Sequence, residues 1–210
     1  MTQYIIPQFL EASFKEGFSY TDDSGEQYNF YTFDLGNLKI TDGRIVACDP
    51  FLYNDDLPFD TTFPIGSFPV QLAIAQMDDD ERVGFARIRF SDKEPVSWTM
   101  ASGEDQDLSV LKEDEIYGYV VDAGTGAFMD VRAGSELLKF LSENDDNLGE
   151  ITDEMDNNYK ATWNWLLWEQ NGSNVAMFTS GVGDGLYASY IGRDSNGDIC
   201  RLVTDFTIIE

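Results

Sequence analysis

The chain of 210 residues contains no histidine. That absence excludes a Ser-His-Asp triad, a Cys-His dyad, histidine-ligated zinc and any imidazole acid–base step. Cysteine is almost as scarce. Cys48 and Cys200 stand far apart in no zinc-binding spacing, so two free thiols are expected. No phosphate-binding G-x-x-x-x-G-K-[ST] run occurs, and no G-x-G-x-x-G opens a helix, so the common nucleotide sites are missing. No apolar run approaches the ~18 residues that a membrane helix needs. The first residues, MTQYIIPQFLEASFKEG, lack the basic stretch and apolar core of a signal peptide. The expectation is a soluble, cytoplasmic protein.

Positive charge is scarce too. Thirteen lysines and arginines face 39 acidic residues, a formal net charge of −26. Such a field disfavours nucleic acid and anionic membranes, both of which need a basic surface. It favours encounter with a basic protein partner, although acidity also serves plain solubility. The charge is uneven. Residues 101–156 hold 16 acidic and 3 basic side chains, against 6 and 3 in residues 157–210. The docking surface for a basic partner is therefore expected in the central segment, at Glu104, Asp105, Asp107, Glu113, Asp114, Glu115, Glu143, Asp145 and Asp146.

An apolar share of 42% with 14% aromatics describes a chain with a true core. Turn dipeptides punctuate it. Thr41-Asp42-Gly43, Asn171-Gly172, Asn196-Gly197 and Ser24-Gly25 each separate two strand-like runs, so four hairpins are expected. Residues 67–75, 82–90, 95–98 and 116–121 read as further strands. One helix is expected over residues 135–142 with Ser135 as its N-cap, and a second over 7–15. Residues 149–160 read as either helix or loop. The fold class that follows is α+β, mainly antiparallel β, sandwich-like or strongly bent sheets built from hairpins, with a few short helices. A single domain over 1–210 is expected, with the acidic stretch 143–158 as an insertion or joint.

Three blocks carry a resemblance. They are Leu35-Gly36-Asn37-Leu38 through Ala47-Cys48-Asp49-Pro50, then Val121-Asp122-Ala123-Gly124-Thr125-Gly126, then Ser180-Gly181-Val182-Gly183-Asp184-Gly185-Leu186-Tyr187 through Thr204-Asp205-Phe206. Pro64-Ile65-Gly66-Ser67-Phe68-Pro69-Val70 sits between the first two. Together they resemble the domain-of-unknown-function 4241 family, an uncharacterised and largely bacterial group, over residues 35–209. The resemblance implies a shared fold and carries no catalytic residue, cofactor or partner.

The aspartates beside these turns can be read two ways. Asp49 after a strand is a catalytic acid or metal ligand, or it starts an Asx turn before Pro50. Asp122 ligates a metal beside a Gly-Thr-Gly anion nest, or it caps a strand-ending turn by accepting backbone N–H groups. Asp130 shares that site or lies on the surface. A magnesium or calcium cluster would need Asp49, Asp122, Asp184 and Asp205 to converge, since hard cations take carboxylate oxygens. Residues 194–198 resemble the start of a calcium loop, yet glycine stands fourth rather than sixth, which favours a hairpin turn. Trp163, Trp165 and Trp168 form a binding platform or belong to the core.

Two functions follow from these readings. The first is a non-catalytic, acidic protein-binding module without a cofactor, such as an immunity protein that masks the basic surface of a toxin. The second is a magnesium- or calcium-dependent carboxylate enzyme using Asp49, Asp122 and Asp184.

Overall fold

Alternating side chains of a strand point to opposite faces, so a chain of strands with two apolar faces must be covered twice. The computed structural model, which describes residues 4–54 and 58–209, solves this with two facing sheets, each covered on its outer side. A seven-stranded sheet contains β1 (Ser19–Thr21), β2 (Gln27–Ile40), β4 (Gly66–Met77), β5 (Asp80–Arg89), β6 (Ser97–Met100), β12 (Ser189–Arg193) and β13 (Ile199–Asp205), in the order β1-β2-β4-β5-β13-β12-β6. A four-stranded sheet contains β3 (Ile45–Cys48), β8 (Thr125–Asp130), β9 (Trp165–Gln170) and β10 (Ser173–Thr179), in the order β3-β8-β10-β9. β7 (Tyr119–Val121) and β11 (Gly185–Tyr187) form a separate two-stranded ribbon. Every pairing is antiparallel. The helices α1 (Val131–Glu143) and α2 (Asn147–Asn157) are short. The fold is α+β and mainly antiparallel, as the turn spacing predicts.

The main core lies between the sheets. Leu38 and Ile40, Val70, Leu72 and Ile74, and Ile88 and Leu202 meet Phe128, Ala176 and Phe178 from the smaller sheet. The alternate residues Phe30, Ala73, Ala75, Phe85 and Val203 turn outward under Tyr4, Leu10, Phe14 and Leu111. The outer face of the smaller sheet, Val46, Met129, Val175 and Met177, lies under Leu137, Ile151 and Met155 of the helices.

Two bulges keep this alternation in phase. Ala73 pairs with Phe85 and Ile74 with Val83, leaving Gly84 as the extra residue. Its carbonyl accepts the Phe206 N–H at 2.9 Å. Val83 and Ala86, three apart, can therefore both face the main core. In β2 the pairing steps from Asp34 to Gly36, and Leu35 is the extra residue.

Three of the four expected hairpins form: β1–β2, β9–β10 and β12–β13. Asn171 and Gly172 carry the positive φ angles, 50° and 81°, that such a two-residue turn requires. The fourth does not. β2 and β3 belong to different sheets, and residues 41–44 turn the corner between them. The buried Asp130 holds that corner, accepting the Thr41 N–H at 2.8 Å and its hydroxyl at 3.0 Å.

Asp130 also caps α1 by accepting the Arg132 N–H at 2.9 Å. The helix thus starts at Val131 and Ser135 lies inside it, its hydroxyl donating to the Val131 carbonyl. Residues 7–15 supply only a 3-10 turn, Ala12–Phe14. The ambiguous stretch after residue 149 forms most of α2.

The turn-rich N-terminal segment is pinned by charge. Glu11 accepts from Arg201 at 3.0 and 3.1 Å and lies 3.1 Å from the Arg87 guanidinium. Arg87 also donates to Gln71 at 2.9 Å and sits 4.0 Å over the Phe14 ring. Both guanidinium groups are buried, and a buried cation persists only with an anion beside it.

Candidate functional site: a latched turn beside an acidic cleft

Three consecutive N–H groups at the end of β7 converge on carboxylates of the chain itself. Asp49, 1% exposed at the end of β3, accepts the Asp122 N–H at 3.1 Å and the Ala123 N–H at 2.8 Å on one oxygen. Its other oxygen accepts the Phe51 N–H at 2.9 Å, which makes the Asx turn. Asp184 accepts the Gly124 N–H at 3.2 Å. Gly124 has φ of 62°, which a residue with a Cβ rarely adopts, and its carbonyl accepts the Ser180 N–H at 3.1 Å. The turn after Ser180 is closed in turn on Gly183, whose carbonyl accepts the Ser180 and Tyr187 hydroxyls at 2.9 and 2.8 Å.

The N–H groups that meet anions are those of Asp122, Ala123 and Gly124 rather than the expected Gly124-Thr125-Gly126, where Thr125 and Gly126 pair with β10 instead, and the anions are Asp49 and Asp184. The capping runs opposite to the turn reading of Asp122. Its backbone donates, while its exposed side chain has no hydrogen bond or ion pair among the described residues. Asp205 lies elsewhere: it accepts the Thr207 N–H at 2.8 Å and lines a small cavity of about 220 Å³ with Ile5 and Phe85. Among the described residues no group of three or more Asp, Glu, Cys or His side chains could hold a metal ion.

Beside the latch opens a cleft of about 460 Å³. Its walls include Ala47, Leu52, Phe59 and Val120, and Glu104 and Asp105 lie along it. The ribbon forms one side. Gly118 lets β7 approach β11 closely, since a Cβ there would lie 2.5 Å from the Tyr187 carbonyl oxygen. Val121 and Tyr187 face the main core, so Val120 and Leu186, paired across the ribbon, face outward at 64% and 47% exposure.

The acidic candidates fall into two groups. Glu104, Asp105, Asp107, Glu113 and Asp114 are exposed on the segment whose Leu108, Leu111, Ile116 and Tyr117 pack on the outer face of the larger sheet. Glu143, Asp145 and Asp146 are exposed at the junction of α1 and α2, over the outer face of the smaller sheet. The two groups ride on different outer layers. Glu115 pairs with Lys112 at 3.3 Å and Glu143 with Lys139 at 4.0 Å. Hydrogen bonds from Ser109 hold the Asp107 carboxyl below its ordinary range. Glu104, Asp105, Glu113, Asp114, Asp145 and Asp146 have no ion-pair partner among the described residues.

The other motifs are structural. Asp194 closes the β12–β13 turn by accepting the Asn196 and Asp198 N–H groups at 2.8 and 3.0 Å, and pairs with Lys93. Trp163 and Trp168 are buried, and Phe33 meets Trp163 edge-on and Trp165 at a tilt, with centroids 5.1 and 4.4 Å away. Cys48 and Cys200 are buried and form no disulfide. Sequence reasoning missed the exposed face of the ribbon. Adjacent valines at 120 and 121 signal a strand but do not say which one faces out.

A family model described as protein of unknown function, DUF4241, matches residues 38–204, and the chain belongs to that family. The match covers the latch, the ribbon and the cleft walls. No curated protein and no solved structure matches the chain.

Proposed function

We propose that this member of the DUF4241 family is a non-catalytic binding module for a basic protein, and that it acts as an immunity protein covering the basic working surface of a toxin. One observation carries the reading: the protein's positive charge is spent internally while its negative charge is left facing outward. Among the described residues, nine of the thirteen lysines and arginines sit in ion pairs. The exposed carboxylates along residues 104–114 have none among the described residues, and two of them edge the cleft beside the ribbon. Unpaired surface carboxylates raise the association rate with a cationic partner and reject anionic ones. The latch supports a passive role for Asp49, whose oxygens already accept three N–H groups.

The test is affinity capture on the immobilised full chain from a lysate of the cell that encodes it. Retention of a specific basic protein, released as salt screens the charges, supports the reading. Loss of the reading follows if no basic protein is retained, or if calorimetry instead finds tight calcium or magnesium uptake.

A further inference from the structure

Resting on that reading, we infer that the basic partner docks on the β7–β11 ribbon and the cleft beside it, placing an arginine or lysine from an apolar-flanked segment into the cleft. The acidic junction of α1 and α2 is not the docking face.

Among the described residues the outer face of the ribbon is uncovered. Val120 and Leu186 are direct cross-strand neighbours, both exposed, and Val182 on the turn leading into β11 is 74% exposed. Apolar side chains of a strand normally turn inward, and here the inward positions are already filled by Val121 and Tyr187. Exposed apolar residues grouped this way mark a contact surface. Val120 also belongs to the cleft wall, so the ribbon face and the cleft are continuous.

The surrounding charges select the occupant. Among the described residues Glu104 and Asp105 stand along the cleft without cationic partners, and Asp122 and Asp184, both exposed, flank one end of the ribbon. An apolar wall under a carboxylate rim suits a side chain with an aliphatic stem and a cationic head, which is what lysine and arginine present. A second copy of this chain would bring the same carboxylates together under a net charge of −26 on each molecule. A free divalent ion would need converging ligands, and none are found among the described residues. Binding energy concentrates where an apolar anchor is desolvated beside a satisfied charge, and this face supplies both.

The probe is a capped tripeptide with one arginine between two leucines, titrated into the ¹⁵N-labelled full chain, followed by the captured basic protein. Amide shifts are expected at Gly103 and Gly118, which line the cleft, and at Val120 and Leu186 on the ribbon. The double variant Val120→Asp, Leu186→Asp changes only exposed positions, and it is expected to weaken the captured protein's binding by about tenfold or more. Asp145→Asn with Asp146→Asn is expected to leave it within about twofold, as for rim charges. Peptide shifts confined to α2, or equal binding of the captured protein to wild type and the ribbon variant, overturns this inference alone. If no basic protein is captured, both the inference and the functional reading fail.

Discussion

The carboxylate of Asp49 receives the backbone N–H of Ala123 at 2.8 Å across 74 residues of chain. With the Asp122 N–H on the same oxygen, this ties the end of the smaller sheet's edge strand to the base of the ribbon. Asp49 and Asp184 thus serve as internal anions for the glycine-containing turn after β7.

Removing the buried Asp49 carboxylate takes the acceptor from three backbone N–H groups. Asp49→Ala is expected to lower unfolding stability by about 3 kcal/mol, and Asp49→Asn by about 1 kcal/mol, because the amide oxygen still accepts while its charge is gone. Urea denaturation followed by tryptophan fluorescence measures both. Equal effects of the two variants, or an Asp49→Ala effect under about 0.5 kcal/mol, would contradict the latch.

Glu11 is the shared anion of two buried guanidinium groups. Burial pulls Arg87 down to about 10 even though Glu11 pushes it up. Glu11→Gln is expected to cost about 3–5 kcal/mol, since it leaves uncompensated buried charge. Replacing Arg87 by Met in the Glu11→Gln background should recover part of that loss. A thermal melt of the three proteins checks it, and a shift no larger than that of a surface variant such as Glu16→Gln would refute the buried cluster.

Acid should loosen the β12–β13 turn. The hydrogen-bonded ion pair with Lys93 lowers the Asp194 carboxyl below its ordinary value of 3.8. A carboxyl whose folded value is depressed contributes stability above its unfolded value and loses it as pH falls through the folded one. The stability gap between wild type and Asp194→Asn is therefore expected to be full near neutrality and to close below about pH 3.8. Denaturation curves at a series of pH values would show a constant gap if the pair contributed nothing.

Millimolar calcium or magnesium should stabilise the protein no more than sodium chloride of equal ionic strength, because Asp49 is committed to N–H groups and Asp205 lines a different cavity. Melting curves in the two media decide it. A rise specific to the divalent ion would restore the enzyme reading.

Elements with strong local signals were legible in the sequence. Asn171-Gly172 and Asn196-Gly197 state their hairpins because positive φ angles admit few other residues. Thr41-Asp42-Gly43 carries the same local signal and turns a corner instead. What decides its path is Asp130, 89 residues away from Thr41, and no local pattern reports so distant a partner. The same residue displaced the expected cap of α1 from Ser135. Asp49 and Asp122 were legible as a constellation, but the direction of their bond was not, since it depends on which backbone the fold brings over which carboxylate. How the acidic residues of 101–156 divide in space was not legible for a related reason. Charge runs close in sequence lie on layers separated by both sheets.

The most direct test of the central claim is calorimetric titration of the captured basic protein into the full chain at about 50 and 200 mM salt. A partner held by unpaired carboxylates around a cleft is expected to weaken by at least about tenfold at the higher salt, as screened electrostatic association does. An affinity unchanged by salt would contradict the account.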